Sequence, residues 1–397
     1  MNERASDAPA APFTLALRTR VVFGCGALAR LGELARELGA TRAFLVTDPG
    51  IVRAGYATRA RTALHDHGVA VQTYTAVREN PTSADVAACR EALGDWPADL
   101  LVGLGGGSSI DVAKGCAFVR AGGGRMPDYQ GVGRAKGTLL PLIAIPTTAG
   151  TGSEVQSFAL IARDDTHAKM ACGDAQAAPK VAILDPELTV TQPRFVTAST
   201  GCDALVHAVE SAVTTARTPA SVLFALAAFE RLCPALPRVL VAPEDLLARS
   251  DMLLGATYAG IAIEHSMLGA AHALANPLTA HYGVAHGHAV ILTLPAVVRY
   301  NACVPHAATI YAELARRGQL CSSHEEEPRA VAALVACLKR LLAEVGLPPT
   351  LEQCGVPRAA LPDLAAEAAQ QWTAQFNPRP VDSAALQRLL LESWACS

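Results

Sequence analysis

Four short, almost unbroken apolar runs narrow most what this chain can fold into: Ala43–Thr47, Leu100–Leu104, Leu142–Ile145 and Val181–Leu184. Such runs suit strands buried on both faces of a parallel sheet, where no side is left for polar residues to wet. Helical patterns at Ala27–Leu38 and Ser83–Leu93 lie between them, so the order predicts βαβ crossovers. Residues 13–193 therefore read as an α/β domain. Beyond Pro193 the strand signals fade. A helix is predicted from about Glu326 to Val345, with Val331, Leu334, Val335, Leu338, Leu341 and Leu342 on one face. Gly346 and Pro348 follow where it should stop. Residues 194–397 read as a helical domain packed closely on the first, and residues 1–12 as a disordered lead-in.

Composition limits the function classes. Only 17% of the 397 residues are charged and 51% are hydrophobic, so much surface is expected to be hidden in large cores or a subunit interface. A net charge of -3 gives no basic footprint for nucleic acid. No apolar run approaches the ~20 residues that span a bilayer, so no membrane span is expected. The opening residues MNERASDAPAAPF lack the charged-then-apolar order of a secretory signal. Eleven cysteines are scattered without a CxxC pair and read as reduced core residues of a cytoplasmic protein.

Leu100–Lys114 combines a strand, the turn Gly105-Gly106-Gly107-Ser108 and the start of a helix. Three glycines let backbone approach a ligand, and the helix start offers unpaired N–H groups and a positive dipole end to a phosphate. Similar turns also close strand-to-helix corners with no ligand. A second turn, Pro146–Glu154, follows another apolar run, and ligands of open α/β sheets bind at that edge. Asp48 ends the run through Val46 and either accepts hydrogen bonds from a ribose or caps the next helix. Because it precedes the glycine turn, whereas the ordinary dinucleotide fingerprint places its acid afterward, a plain Rossmann domain fits poorly.

Asp203 and His207 are four residues apart in a helical pattern and share one face. They can hold a cation together or form a simple pair. Five of the eleven histidines then fall between His265 and His288. An aspartate with several histidines suits Fe(II), Zn or a similar divalent ion, although spacing alone does not select among the five.

With these motifs in view, the chain resembles the iron-containing alcohol dehydrogenase family, related in fold to dehydroquinate synthase and glycerol dehydrogenase. The resemblance runs from about Val21 to Pro378. It rests on Phe23-Gly24-Cys25-Gly26, Gly105–Lys114, Pro146–Glu154, Gly201–Glu210 and His272–Gly287. It implies an α/β N-terminal dinucleotide-binding domain with a parallel sheet and an all-α C-terminal metal-binding domain. The implied metal ligands are Asp203, His207, His272 and His286, while His265, His281 and His288 fall outside the family's ligand positions. On the cofactor side it places the pyrophosphate at Gly105, Gly106, Gly107 and Ser108, with Thr147, Thr148 and Ser153 lining the cleft. Asn80 and Lys169 match cofactor contacts, and Asp48 matches an acid that favours NAD over NADP. One position departs: many members carry a histidine, proposed to relay a proton, where this chain has Asn276, which is expected to touch substrate or its water. The resemblance implies hydride transfer between NAD(H) and a small aldehyde/primary alcohol pair, with Fe(II) or Zn and as a homodimer. A maleylacetate reductase-like enzyme or a glycerol-type polyol dehydrogenase is the alternative on the same fold.

Overall fold

The computed structural model describes residues 12–166 and 168–395. The expected disordered lead-in, residues 1–12, lies outside the described residues as far as Ala11. Among the described residues, nine strands occur in order: β1 (Arg20–Phe23), β2 (Arg42–Val46), β3 (Ala70–Tyr74), β4 (Leu100–Gly105), β5 (Gly131–Val132), β6 (Leu142–Pro146), β7 (Phe158–Ala162), β8 (Lys169–Gly173) and β9 (Val181–Leu184). Six form one parallel sheet in the order β1-β9-β6-β4-β2-β3. The four apolar runs are four of its strands, and β4, β6 and β9 are buried along their whole length. The two edge strands escaped the sequence pattern because each is partly wet, and Arg20, Gln72 and Thr73 interrupt them. So did the small sheet β5-β8-β7, whose antiparallel pair β7–β8 packs against the first domain's helices.

Five helices belong to this part: α1 (Leu31–Glu37), α2 (Pro49–Arg53), α3 (Tyr56–His65), α4 (Ser83–Leu93) and α5 (Gly107–Gly122). The stretch predicted as one helix from Ala27 begins instead as a 3₁₀ turn, Ala27–Arg30, entered from Gly26 in the left-handed region at φ 74°. Asp185, fully buried beyond β9, accepts from the backbone N–H groups of Gly26 and Leu28, both at 3.1 Å. That bond set anchors the Phe23–Gly26 motif to the neighbouring strand.

All nine strands precede Asp185, and α6 (Arg194–Ser211), α7 (Pro219–Val241), α8 (Leu246–Glu264), α9 (Ala270–Tyr282), α10 (His286–Asn301), α11 (Pro305–Arg317), α12 (Glu327–Glu344), α13 (Leu361–Ala368) and α14 (Ser383–Trp394) follow. The predicted Glu326–Val345 helix is α12. Helices α7 and α8 are, by length and composition alone, long and apolar enough to cross a membrane. Arg231, Arg238, Arg249 and Asp251 interrupt their apolar runs. At least half of the most apolar window of each is buried against protein, which explains the apolar character without lipid. The two halves are bolted together beside the second glycine turn. Thr257 on α8 donates to Glu154 at 2.8 Å, and the Ser157 N–H donates to Glu264, at the end of α8, at 3.0 Å.

Cysteine placement differs partly from expectation. Six described cysteines are buried, but Cys25 and Cys303 are exposed, and Cys321 and Cys354 are half-buried.

Candidate metal and cofactor site

Helix α6 carries Asp203, His207 and Glu210 at spacings of four and three residues, which place all three on one buried face. His272 enters from the first turn of α9, and His286 is the first residue of α10. Glycine lets α10 come this close: a Cβ on Gly287 would collide with the Ser199 carbonyl of α6. The Nε2 atoms of His207, His272 and His286 lie 3.3, 3.5 and 3.8 Å from a single atom, Asp203 Oδ1. Asp203, His207 and His272 form the tightest group, mutually within 4.8 Å. Asp203 Oδ1 and His272 Nε2 are buried and have no hydrogen-bond partner among the described residues. Donor atoms around a ~2.0–2.2 Å ligand shell stand about 3–4 Å apart, so the residues present fit a divalent cation.

Glu210 organises this cluster and was not singled out from sequence. Its carboxylate accepts from His272 Nδ1 at 2.6 Å and from the backbone N–H groups of Gly269 and Ala271 at 3.2 and 2.7 Å. The first contact turns the lone pair of His272 Nε2 inward; the others hold the start of α9 in place. The signal available was its place three residues after His207 on the same helix face.

Electrostatics separate the three imidazoles. Burial presses the His207 ring down to about 4 and holds His286 well below its ordinary value, with Lys169 adding to the latter. Burial opposes charge on His272 too, but the neighbouring Asp203 and Glu210 carboxylates prevail and raise it to about 9. Burial alone would lift Asp203; the surrounding imidazoles hold it below the usual carboxylate range instead. Without metal, His272 therefore carries a proton at neutral pH. A metal needs that lone pair, so binding must release the proton, and apparent affinity should weaken about tenfold per unit as pH falls from 9 to 7. Chelator-competition titrations at pH 7, 8 and 9 measure this directly, and an affinity independent of pH would contradict it.

Most of the cofactor candidates gather at the carboxyl ends of β2, β4 and β6, while Asn80 follows β3 and Lys169 opens β8. At Gly105, φ is 146° and an added Cβ would press on Ser109 and Asp48; at Gly106 and Gly107 it would meet Thr148 at 3.3 Å and Thr151 at 2.6 Å. Backbone is thus the wall of the cleft at this turn. No side chain caps the start of α5, and Ser108 is half-exposed there. The capping reading of Asp48 is realised. Oδ1 caps α2 through Gly50 and Ile51 at 2.8 and 3.0 Å, while Oδ2 faces the glycine turn, 3.5 Å from Ser109 Oγ. Thr147 is buried with its N–H on the Gly105 carbonyl, and Thr148 faces Gly106. Asn80 is exposed in the left-handed region at φ 50°, just before Pro81.

Ser153 is corrected. Its hydroxyl is buried and spent on Lys114 Nζ at 2.8 Å and on Asp111, so it belongs to the framework under the cleft and does not line it. Lys114 Nζ also donates to the carbonyls of Ser153, Gln156 and Phe158 at 2.7, 2.9 and 2.8 Å. Thr151, beside Gly107, faces the turn in its place.

The two clusters meet. A backbone group of Gly150 in the second glycine turn bears on His207, and Lys169 on β8 lies near enough to Asp203 and His286 for their charges to interact. Lys169 keeps exposed surface, yet lost hydration pushes its ammonium below the ordinary lysine value. Asn276, one turn after His272, is half-buried and donates from Nδ2 to Gln371 Oε1 at 2.9 Å. The other histidines stand apart: His281 pairs with Glu367 on the surface, and His288 bonds the Pro348 carbonyl at 2.7 Å. His265 is half-buried just beyond the end of α8.

A parallel sheet with a backbone-walled glycine turn is closed by a helical domain that presents one aspartate and three histidines. The sequence pattern of "Iron-containing alcohol dehydrogenase" matches residues 18–186, and that of "Fe-containing alcohol dehydrogenase family, C-terminal" matches residues 197–394. This chain belongs to the iron-containing alcohol dehydrogenase family and is an oxidoreductase acting on alcohols. "Alcohol dehydrogenase 4" of Schizosaccharomyces pombe is 35% identical over 84% of this chain and 78% of its own. A 1,3-propanediol oxidoreductase crystal structure superposes with a TM-score of 0.93 at 29% identity, covering 97% of this chain and 100% of that one. Sulfoacetaldehyde reductase from Bifidobacterium kashiwanohense, solved with NAD+, gives 0.88 at 28% identity over 98% and 100%.

Proposed function

We propose that this chain transfers a hydride between NAD(H) and a small aldehyde/primary alcohol pair at a divalent metal, Fe(II) or Zn, held by Asp203, His207, His272 and His286. The observation that carries it is the convergence of three imidazole Nε2 atoms on one unpartnered carboxylate oxygen, beside a backbone-walled phosphate turn. When bound, the metal supplies Lewis acidity toward the substrate oxygen, and the dinucleotide supplies or accepts the hydride. Residues 13–193 act as the cofactor domain and 194–397 as the metal and substrate domain. Gly105, Gly106, Gly107 and Ser108 receive the pyrophosphate, with Thr147, Thr148, Asn80 and Lys169 around the rest of the cofactor. Glu210 keeps His272 turned inward, and the buried walls exclude water from the reacting atoms. Oxidation of NADH with a panel of small aldehydes, in Fe(II), in Zn and in chelator, tests the assignment. Turnover that persists in chelator would sink it.

Cofactor choice rests on Asp48. A carboxylate facing the turn repels a 2′-phosphate, so NADH should be preferred. Asp48→Ser retains a side chain that caps α2 while removing the charge, so kcat/KM for NADPH should rise without loss of folding. Equal wild-type kcat/KM for the two cofactors would contradict this placement.

Asn276 offers hydrogen bonds but no group that titrates near neutral pH. Its partner Gln371 extends the polar edge, and the pair is placed to orient substrate. Asn276→His should add an ionisation near ~6.5 to the kcat/KM profile, displaced by the adjacent cation. Profiles that superimpose at equal metal content and equal activity would show that this position moves no proton.

A homodimer fits the exposed edge strand β1 with its open Val21 and Phe23, and the alternating Phe13, Leu15 and Leu17 just before it, all exposed. All ten described cysteines are free thiols, which suits a cytoplasmic setting.

A further inference from the structure

Cys233 in α7 and Cys337 in α12 are 104 residues apart in sequence, yet their Sγ atoms are in contact at 3.6 Å. Both residues are buried in the helical core, and neither is among the groups that contact Asp203 or the glycine turns. To reach a disulfide bond length the sulfurs need to approach by only about 1.5 Å. Arg340, nearly one turn along α12, directs Nη2 at Cys337 Sγ at 3.5 Å, and its side chain is 61% exposed. The pair therefore lies directly beneath a surface guanidinium. Contact with Cys233 and the charge of Arg340 hold the Cys337 thiol below its ordinary value despite burial. The same contact, together with burial, pushes the Cys233 thiol upward. One sulfur is thus the readier thiolate, and its neighbour keeps its proton.

We propose that Cys233 and Cys337 are an oxidisable dithiol, a modification site that closes to a disulfide in the presence of a peroxide. Burial of both sulfurs selects a small oxidant over a bulky disulfide. The Cys337 thiolate attacks one peroxide oxygen, the O–O bond breaks, and the released hydroxide takes a proton to become water, leaving a sulfenic acid. The Cys233 sulfur then attacks the Cys337 sulfur, its proton leaves with the displaced hydroxyl as a second water, and the S–S bond forms. Two thiols lose two electrons and the peroxide gains them. The bond ties α7 to α12 across a long loop, so the oxidised chain should melt several degrees higher.

Full-length protein loaded with zinc, so that no iron consumes the oxidant, is treated with stoichiometric hydrogen peroxide, denatured, alkylated and digested for mass spectrometry. The expected product is a peptide pair joined between Cys233 and Cys337, lighter by two hydrogens and released by dithiothreitol, with the rise in melting temperature. In Cys233→Ser, or Cys233→Ala where serine is not tolerated, Cys337 should stop at the sulfenic acid and be trapped by dimedone, with no rise in melting temperature. The proposal is overturned if both cysteines remain alkylatable at a dose that oxidises the exposed Cys25 and Cys303, or if either joins a different cysteine. Dimedone on Cys233 in Cys337→Ser would equally overturn the assignment of Cys337 as the attacking sulfur.

Discussion

His272→Ala is expected to lower kcat/KM by roughly a thousandfold or more, because it removes a metal ligand, and Lewis-acid stabilisation is worth several kcal/mol at ~1.4 kcal/mol per decade. Metal content should fall with it, while NADH affinity, set at the glycine turn, should change little. Folding should survive. Glu210, left without its imidazole, still accepts two backbone N–H groups at the start of α9. The comparison is steady-state kinetics, metal analysis and NADH fluorescence titration on the same preparations. A variant that keeps full metal occupancy and turnover would remove His272 from the site.

Lys114→Met should be the most damaging change away from the metal, costing on the order of 3–5 kcal/mol of stability, because it leaves a buried charge without its partner. Lys114 and Asp111 are both buried, 3.8 Å apart, and four protein oxygens surround the ammonium. Lost hydration lowers the lysine and raises the aspartate, outweighing the attraction between them, so either charge is costly to leave buried alone. The ammonium fastens residues 153–158 to α5, so the second glycine turn should loosen and NADH affinity should fall as well. Pairing the change with Asp111→Asn should recover part of the stability by removing the stranded charge. Urea unfolding of the single and double variants reads both effects, and wild-type midpoints in Lys114→Met would contradict this account.

What the residue pattern conveyed follows from burial. Strands β4, β6 and β9 are buried on both faces and appear in sequence as pure apolar runs, whereas β1 and β3 sit at sheet edges and carry polar residues that hide them. Asp203 and His207 were legible because four residues make one helical turn. The convergence of His272 and His286 on them is tertiary, and no local spacing encodes it; the family resemblance carried that step. Lys114 shows the converse. It stands inside a recognisable motif, but its function is to bind three carbonyls and a hydroxyl some 40 residues onward, which no window around it contains. Ser153 was misassigned for the same reason: the glycine turn marks a ligand edge, while only the folded chain shows which hydroxyls point inward.

The central claim is that Asp203, His207, His272 and His286 share one metal ion. X-ray absorption at the metal edge of the loaded, full-length protein tests it most directly, with His286→Ala measured alongside. One ion per chain is expected, with nitrogen and oxygen neighbours at ~2.0–2.2 Å and a histidine signature that weakens by about one ring of three in the variant. A spectrum that the variant leaves unchanged, or one dominated by sulfur, would place the ion elsewhere and contradict the account.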